Sequence, residues 1–83
     1  MGEWTGRTAV ITGGARGFGA AFARALAKEG AAIALVDVDA SAVEQAAKAL
    51  VADGYAAIGL VGDVTDEARM RAVLREAAAL RGG

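Results

Sequence analysis

The 83-residue chain contains no cysteine, no histidine and no proline. Without cysteine there is no disulfide and no thiol nucleophile, which fits a reducing compartment. Without histidine there is no imidazole base, the commonest metal ligand is absent, and no metal site is expected. Aromatic side chains are nearly as scarce: only Trp4, Phe18, Phe22 and Tyr55 occur. No apolar run reaches the roughly 20 residues of a membrane-spanning helix, so no membrane partner is expected. The N-terminus lacks a basic segment followed by an apolar one, which argues against a signal peptide. Neither sign of charge dominates, since 9 Lys and Arg face 10 Asp and Glu for a net charge of −1. A nucleic-acid partner would call for a basic patch or stripe, and none is present. Arg69, Arg71, Arg75 and Arg81 gather late, but Asp66, Glu67 and Glu76 interleave with them in the pattern of a solvated helix face. These absences leave a cytoplasmic globular chain as the expectation.

Over half of the residues are apolar, and alanine supplies most of them. Such composition suits helices lying close on a sheet but gives little burial per residue. At this length one domain is the limit, and folding buries only about 60% of the surface the open chain exposes.

The chain is organised around residues 12–19, Thr-Gly-Gly-Ala-Arg-Gly-Phe-Gly. A β-type run, residues 7–12, leads into this glycine cluster, and a helical stretch predicted over residues 17–29 leaves it. Glycines let the backbone approach an anion, while the unpaired N–H groups and positive dipole end of the helix face it. Phe18, Ala21, Phe22, Ala25 and Leu26 recur at helical spacing and predict the buried stripe of that helix. Gly30 is its expected stop. Residues 31–36 read as a second buried strand ending at Asp37.

Ser41 with Glu44 forms a capping-box pattern that opens a second helix, with Val43, Ala46, Ala47, Leu50 and Val51 inward and Gly54 at its end. Residues 55–61 read as a third strand, weakened by Gly59. Thr65 is the expected cap of a third helix, with Asp66 and Glu67 in its first turn. Met70, Val73, Leu74 and Ala77 mark its apolar stripe. Trp4 is expected to cover one end of the sheet. Strict strand–helix alternation predicts an α/β fold with a parallel sheet. Right-handed crossovers place the first two helices on one face and the third on the other, with strand order 3-2-1 and the first strand as a bare edge.

The glycine spacing Gly13-x-x-x-Gly17-x-Gly19 is neither the general G-x-G-x-x-G fingerprint nor a triphosphatase phosphate loop. It resembles the Thr-Gly-x-x-x-Gly-x-Gly motif of the short-chain dehydrogenases/reductases, which are NAD(P)-dependent oxidoreductases with one Rossmann-type domain. Val36-Asp37 and Gly62-Asp63-Val64-Thr65 match the same family's N-terminal pattern, and Phe18 stands where the family more often has Ile or Leu. The resemblance covers the chain from about Gly6 onward. It implies that residues 1–83 are the N-terminal part of a single dinucleotide-binding domain, cut before its fourth strand.

The cofactor-binding residues that the resemblance implies are Gly13, Ala15, Arg16, Gly17, Phe18, Gly19, Asp37, Val38, Asp63 and Val64. Asp37 lies twenty residues after Gly17, near the distance of the ribose-binding acid. It repels a 2′-phosphate, favouring NAD over NADP, whereas Arg16 points toward NADP. Asp63 and Val64 match the positions that hold the adenine, and a plain turn role for Asp63 stays open. Asp39 is the better candidate for a capping or loop role than Asp37.

The family's chemistry rests on an Asn-Asn-Ala-Gly segment, a serine and a Tyr-x-x-x-Lys pair whose lysine lowers the tyrosine pKa. The chain has no asparagine, Ser41 has a capping role, and Gly59 stands four residues after Tyr55. No catalytic residue is therefore assigned. The expected function is the NAD(P)-binding portion of an enzyme moving hydride between cofactor and an alcohol or carbonyl. The alternative is a non-catalytic nucleotide-binding module that pairs through the bare strand edge. A flavoprotein or methyltransferase is disfavoured by the glycine spacing.

Overall fold

The computed structural model describes residues 4–13 and 17–80. The elements alternate as expected: β1 (Thr8–Thr12), α1 (Gly17–Lys28), β2 (Ala32–Asp37), α2 (Ala40–Ala52), β3 (Ala57–Val61) and α3 (Glu67–Ala79). Both strand pairs are parallel. The sheet order is β1-β2-β3. This stands in place of the expected 3-2-1: β2 pairs with both neighbours, and β1 and β3 lie at the two sides of it. The described residues contain no fourth strand, and β1 is an edge.

β2 is buried along its whole length because it is the central strand and is covered on both faces. Alternate side chains of the strands divide the core in two. Ala9, Ile11, Ile33 and Leu35 face Ala23 and Ala27 of α1 and Val43, Ala47 and Leu50 of α2. On the opposite face Val36 and Leu60 meet Val73 of α3, flanked by Val10, Ile58 and Met70. Trp4 packs against the first layer, its backbone N–H donating to the Glu29 carbonyl and the Arg7 guanidinium lying over its ring.

Several local expectations are corrected. The stripe predicted for α1 is rotated: Ala23 and Ala27 are buried, whereas Phe18 is 94% and Phe22 57% exposed. Small side chains face the sheet because they let the helix approach it, and the periodicity of the larger residues describes the outer side. Leu74 and Val51 likewise stand outward from α3 and α2. The cap of α2 is Asp39, whose carboxylate accepts from the Ala42 N–H, so Ser41 falls inside the first turn. The cap of α3 is Asp66, which accepts from the Arg69 N–H. Thr65 instead donates to Asp63. An ionised aspartate outcompetes a hydroxyl for these N–H groups because charge-assisted bonds are stronger.

Gly59 does not weaken β3. A Cβ there would lie 2.7 Å from the Val43 carbonyl oxygen, so its bare backbone is what allows α2 to sit against β3.

Candidate functional site

The three strands finish in step. Thr12 is level with Val36 and Val36 with Leu60, while Asp37 is level with Val61. Neighbouring strands lie about 4.8 Å apart, so the loops leaving them emerge side by side at one carboxyl edge. The expected site residues come from these three loops. Asp37 is in the middle, one strand away from the glycine turn and one from the 62–64 turn.

At the end of β1 the chain turns through Gly13, at φ +64°, and enters α1 at Gly17, at φ +50°. A side chain costs about 1–2 kcal/mol in this left-handed region, so the turn is built for glycine. Among the described residues nothing lies within 4 Å of where a Cβ would stand at either position. The backbone is therefore open at the start of a helix whose first N–H groups have no intrahelical acceptor. Phe18 follows, almost fully exposed, and Gly19 is half-buried. The expectations placed on Ala15 and Arg16 lie outside the described residues.

Asp37 ends β2 and is 9% exposed, the one buried charged side chain among the described residues. Its carboxylate accepts from the Asp39 N–H at 3.2 Å, and its carbonyl accepts from the Gly62 N–H at 3.1 Å. Next to it Val38 is exposed. Asp39 takes the capping role, as anticipated, which separates the duties of the two acids.

Asp63 is solvent-exposed and its carboxylate accepts from the Thr65 N–H at 2.9 Å and the Thr65 hydroxyl at 2.8 Å. These bonds, the backbone one foremost, hold its carboxyl below the usual aspartate range. Asp63 thus fills the turn role at least. Val64 beside it is exposed. The sequence reading missed Arg69, assigned there to a solvated face. Its Nε–H donates to the Val61 carbonyl at 2.7 Å, closing the segment between β3 and α3. No residue pattern signals this bond, which spans eight positions.

A parallel sheet covered by helices on both faces, with a glycine turn between its first strand and helix, defines a partial Rossmann-type unit. The short chain dehydrogenase family profile matches residues 7–83. The chain belongs to that family. It is 46% identical over 80 residues to the cis-4-hydroxycyclohexanecarboxylate dehydrogenase of Sinomonas cyclohexanicum, covering 95% of this chain and 32% of the relative. It is 48% identical over 64 residues to the sorbitol dehydrogenase of Cereibacter sphaeroides, covering 76% of this chain and 23% of that one. A crystal structure of a short chain dehydrogenase/reductase from Burkholderia phymatum in complex with NAD superposes with a TM-score of 0.90 at 39% identity. That match covers 99% of this chain and 29% of the other. The chain therefore spans a third or less of the length of these relatives.

The residues present fit a dinucleotide. Open backbone at a helix start suits a diphosphate, a nearly buried carboxylate suits a ribose diol, and exposed valines suit a flat base.

Proposed function

We propose that residues 1–83 form the adenosine and diphosphate side of a dinucleotide site, the N-terminal part of one Rossmann-type domain that continues into a fourth strand. The parent activity is hydride transfer between a nicotinamide cofactor and an alcohol or carbonyl carbon. The observation that carries this reading is the shared register of the three strand ends, which sets the glycine turn, Asp37 and the 62–64 turn along one edge.

In this reading Gly13, Ala15, Arg16, Gly17, Phe18 and Gly19 surround the diphosphate, and their backbone N–H groups supply the neutralising dipoles. Asp37 accepts hydrogen bonds from the ribose hydroxyls and repels a 2′-phosphate, which favours NAD over NADP. Val38, Asp63 and Val64 border the base. The bound nicotinamide would supply the hydride chemistry.

The proton-handling groups of the family are not assigned within this stretch. Tyr55 packs half-buried against the core ahead of β3, at the opposite end of the strand from the site. Five strand residues at about 3.3 Å each separate it from the carboxyl edge. Ser41 is exposed in the first turn of α2. No described helix is long and apolar enough to cross a membrane. The edge of β1 is the surface we assign to pairing with a further strand or a second copy.

Titration of the 15N-labelled chain with NAD, NADP, FAD and S-adenosylmethionine tests the assignment. NAD is expected to shift the amides of Gly13, Gly17, Asp37, Val38, Asp63 and Val64, more strongly than NADP at equal concentration. Asp37→Ala is expected to narrow that preference by about tenfold, equivalent to 1.4 kcal/mol. An unchanged NAD/NADP ratio in the variant would refute the role of Asp37. A response to FAD or S-adenosylmethionine alone would refute the cofactor class.

A further inference from the structure

We infer that Arg69 is a positioning residue for the adenosine side of the site: it fixes the 62–65 turn by holding the last carbonyl of β3. The inference rests on the dinucleotide reading above and adds a residue to which neither the glycine motif nor the acid at the end of β2 points.

The geometry is a closed circuit. The Arg69 Nε–H donates to the Val61 carbonyl at 2.7 Å, while its backbone N–H donates to the Asp66 carboxylate at 3.0 Å. Between those anchors the Asp66 N–H donates to the Asp63 carbonyl at 2.9 Å, and Thr65 donates twice to the Asp63 carboxylate. Gly62 is tied on its other side, through its N–H, to the carbonyl of Asp37. The aliphatic stem of Arg69 also lies beside Gly62, its Cγ 3.5 Å from where a Cβ would stand.

The Val61 carbonyl therefore has a charged donor from the helix that follows it. A bond to a charged donor is stronger than one between neutral groups. This bond sets the direction in which the chain leaves β3, and so where Asp63 and Val64 stand relative to Asp37. The turn is otherwise exposed, with no buried side chain between Val61 and Ala68. Hydrogen bonds rather than packing give it its shape. Arg71, two residues on, pairs with Glu67 on the outer face of α3 and has no bond to the turn. It serves as a charge-matched control.

The test compares the wild-type chain with Arg69→Met, Arg69→Lys and Arg71→Met by NMR titration with adenosine monophosphate and with inorganic pyrophosphate. Arg69→Met keeps the stem and removes the donor. Arg69→Lys keeps the charge without the Nε–H. Both are expected to weaken adenosine monophosphate binding about tenfold, with faster amide exchange confined to residues 62–65. Pyrophosphate-induced shifts at Gly13 and Gly17 are expected to stay as in the wild type, and Arg71→Met is expected to change neither ligand.

A loss of both ligands together would mark Arg69 as a general stability element and overturn the inference. So would wild-type adenosine monophosphate affinity in both Arg69 variants. If the wild-type chain binds neither ligand, the dinucleotide reading falls, and this inference falls with it. Wild-type binding of both ligands that persists unchanged in both Arg69 variants overturns this inference alone and leaves the dinucleotide reading standing.

Discussion

At the scale of single residues, the acids divide into those that cap helices and those that end a strand or shape a turn. Asp39 and Asp66 cap helices, whereas Asp37 ends the central strand nearly buried. Asp63 has its own internal donors, and these make it a pH-sensitive element. Its folded carboxyl is held below the ordinary range, so the ionised form stabilises the fold. That contribution is complete above the ordinary aspartate range and fades as pH falls through the lowered value. Thr65→Val removes the hydroxyl donor and leaves the backbone N–H. The lowering is expected to shrink without changing direction, as read by carbon-detected NMR titration of Asp63. An unchanged titration would show that the hydroxyl bond at 2.8 Å contributes nothing in solution. The sequence made Asp37 and Asp39 distinguishable, because their spacing from Gly17 and from the helix start differs. Arg69 was not legible, since a bond from a side chain to a carbonyl eight residues earlier depends on how α3 lies against the sheet.

At the scale of elements, the order and direction of all six followed from the alternation of β-type and helical runs and from glycines at their ends. What eluded the pattern was rotation. In α1, alanines face the sheet and the two phenylalanines stand outward, so reading large apolar residues as the buried stripe chose the wrong side. The periodicity is the same on either side of such a helix, and only close approach to a sheet selects the small residues. Gly59 shows the same preference for close approach. Gly59→Ala is expected to push α2 away from β3 and destabilise the chain by about 1–3 kcal/mol. Urea unfolding followed by circular dichroism measures this, and a stability equal to that of the wild type would mean that the Val43 carbonyl can move aside freely. The helix caps were misplaced by one or two residues because hydroxyl and carboxylate candidates stood close together and sequence spacing does not rank them.

At the scale of the whole molecule, the two faces of the sheet are unequally covered. Among the described residues, Ile11, Ile33, Leu35, Val43 and Leu50 anchor the larger buried cluster beneath α1 and α2, whereas the smaller one beneath α3 is built on Val36, Leu60 and Val73. Regions with fewer buried apolar contacts open first. Amides of α3 are therefore expected to exchange with solvent faster than those of α1 and α2 under native conditions. Hydrogen exchange read by NMR checks this, and uniform protection across the three helices would contradict it. The same layering has an electrostatic side. In a parallel sheet with right-handed crossovers every helix begins at the carboxyl edge, so three positive helix ends converge there. Two are already answered from within, α2 by Asp39 and α3 by Asp66 and Glu67. The first turn of α1 holds no acid, and neither does the glycine stretch before it. In the proposed dinucleotide reading, an arriving diphosphate would meet two helix ends already answered by the chain's own carboxylates and one that is not, which leaves the start of α1 as its docking point.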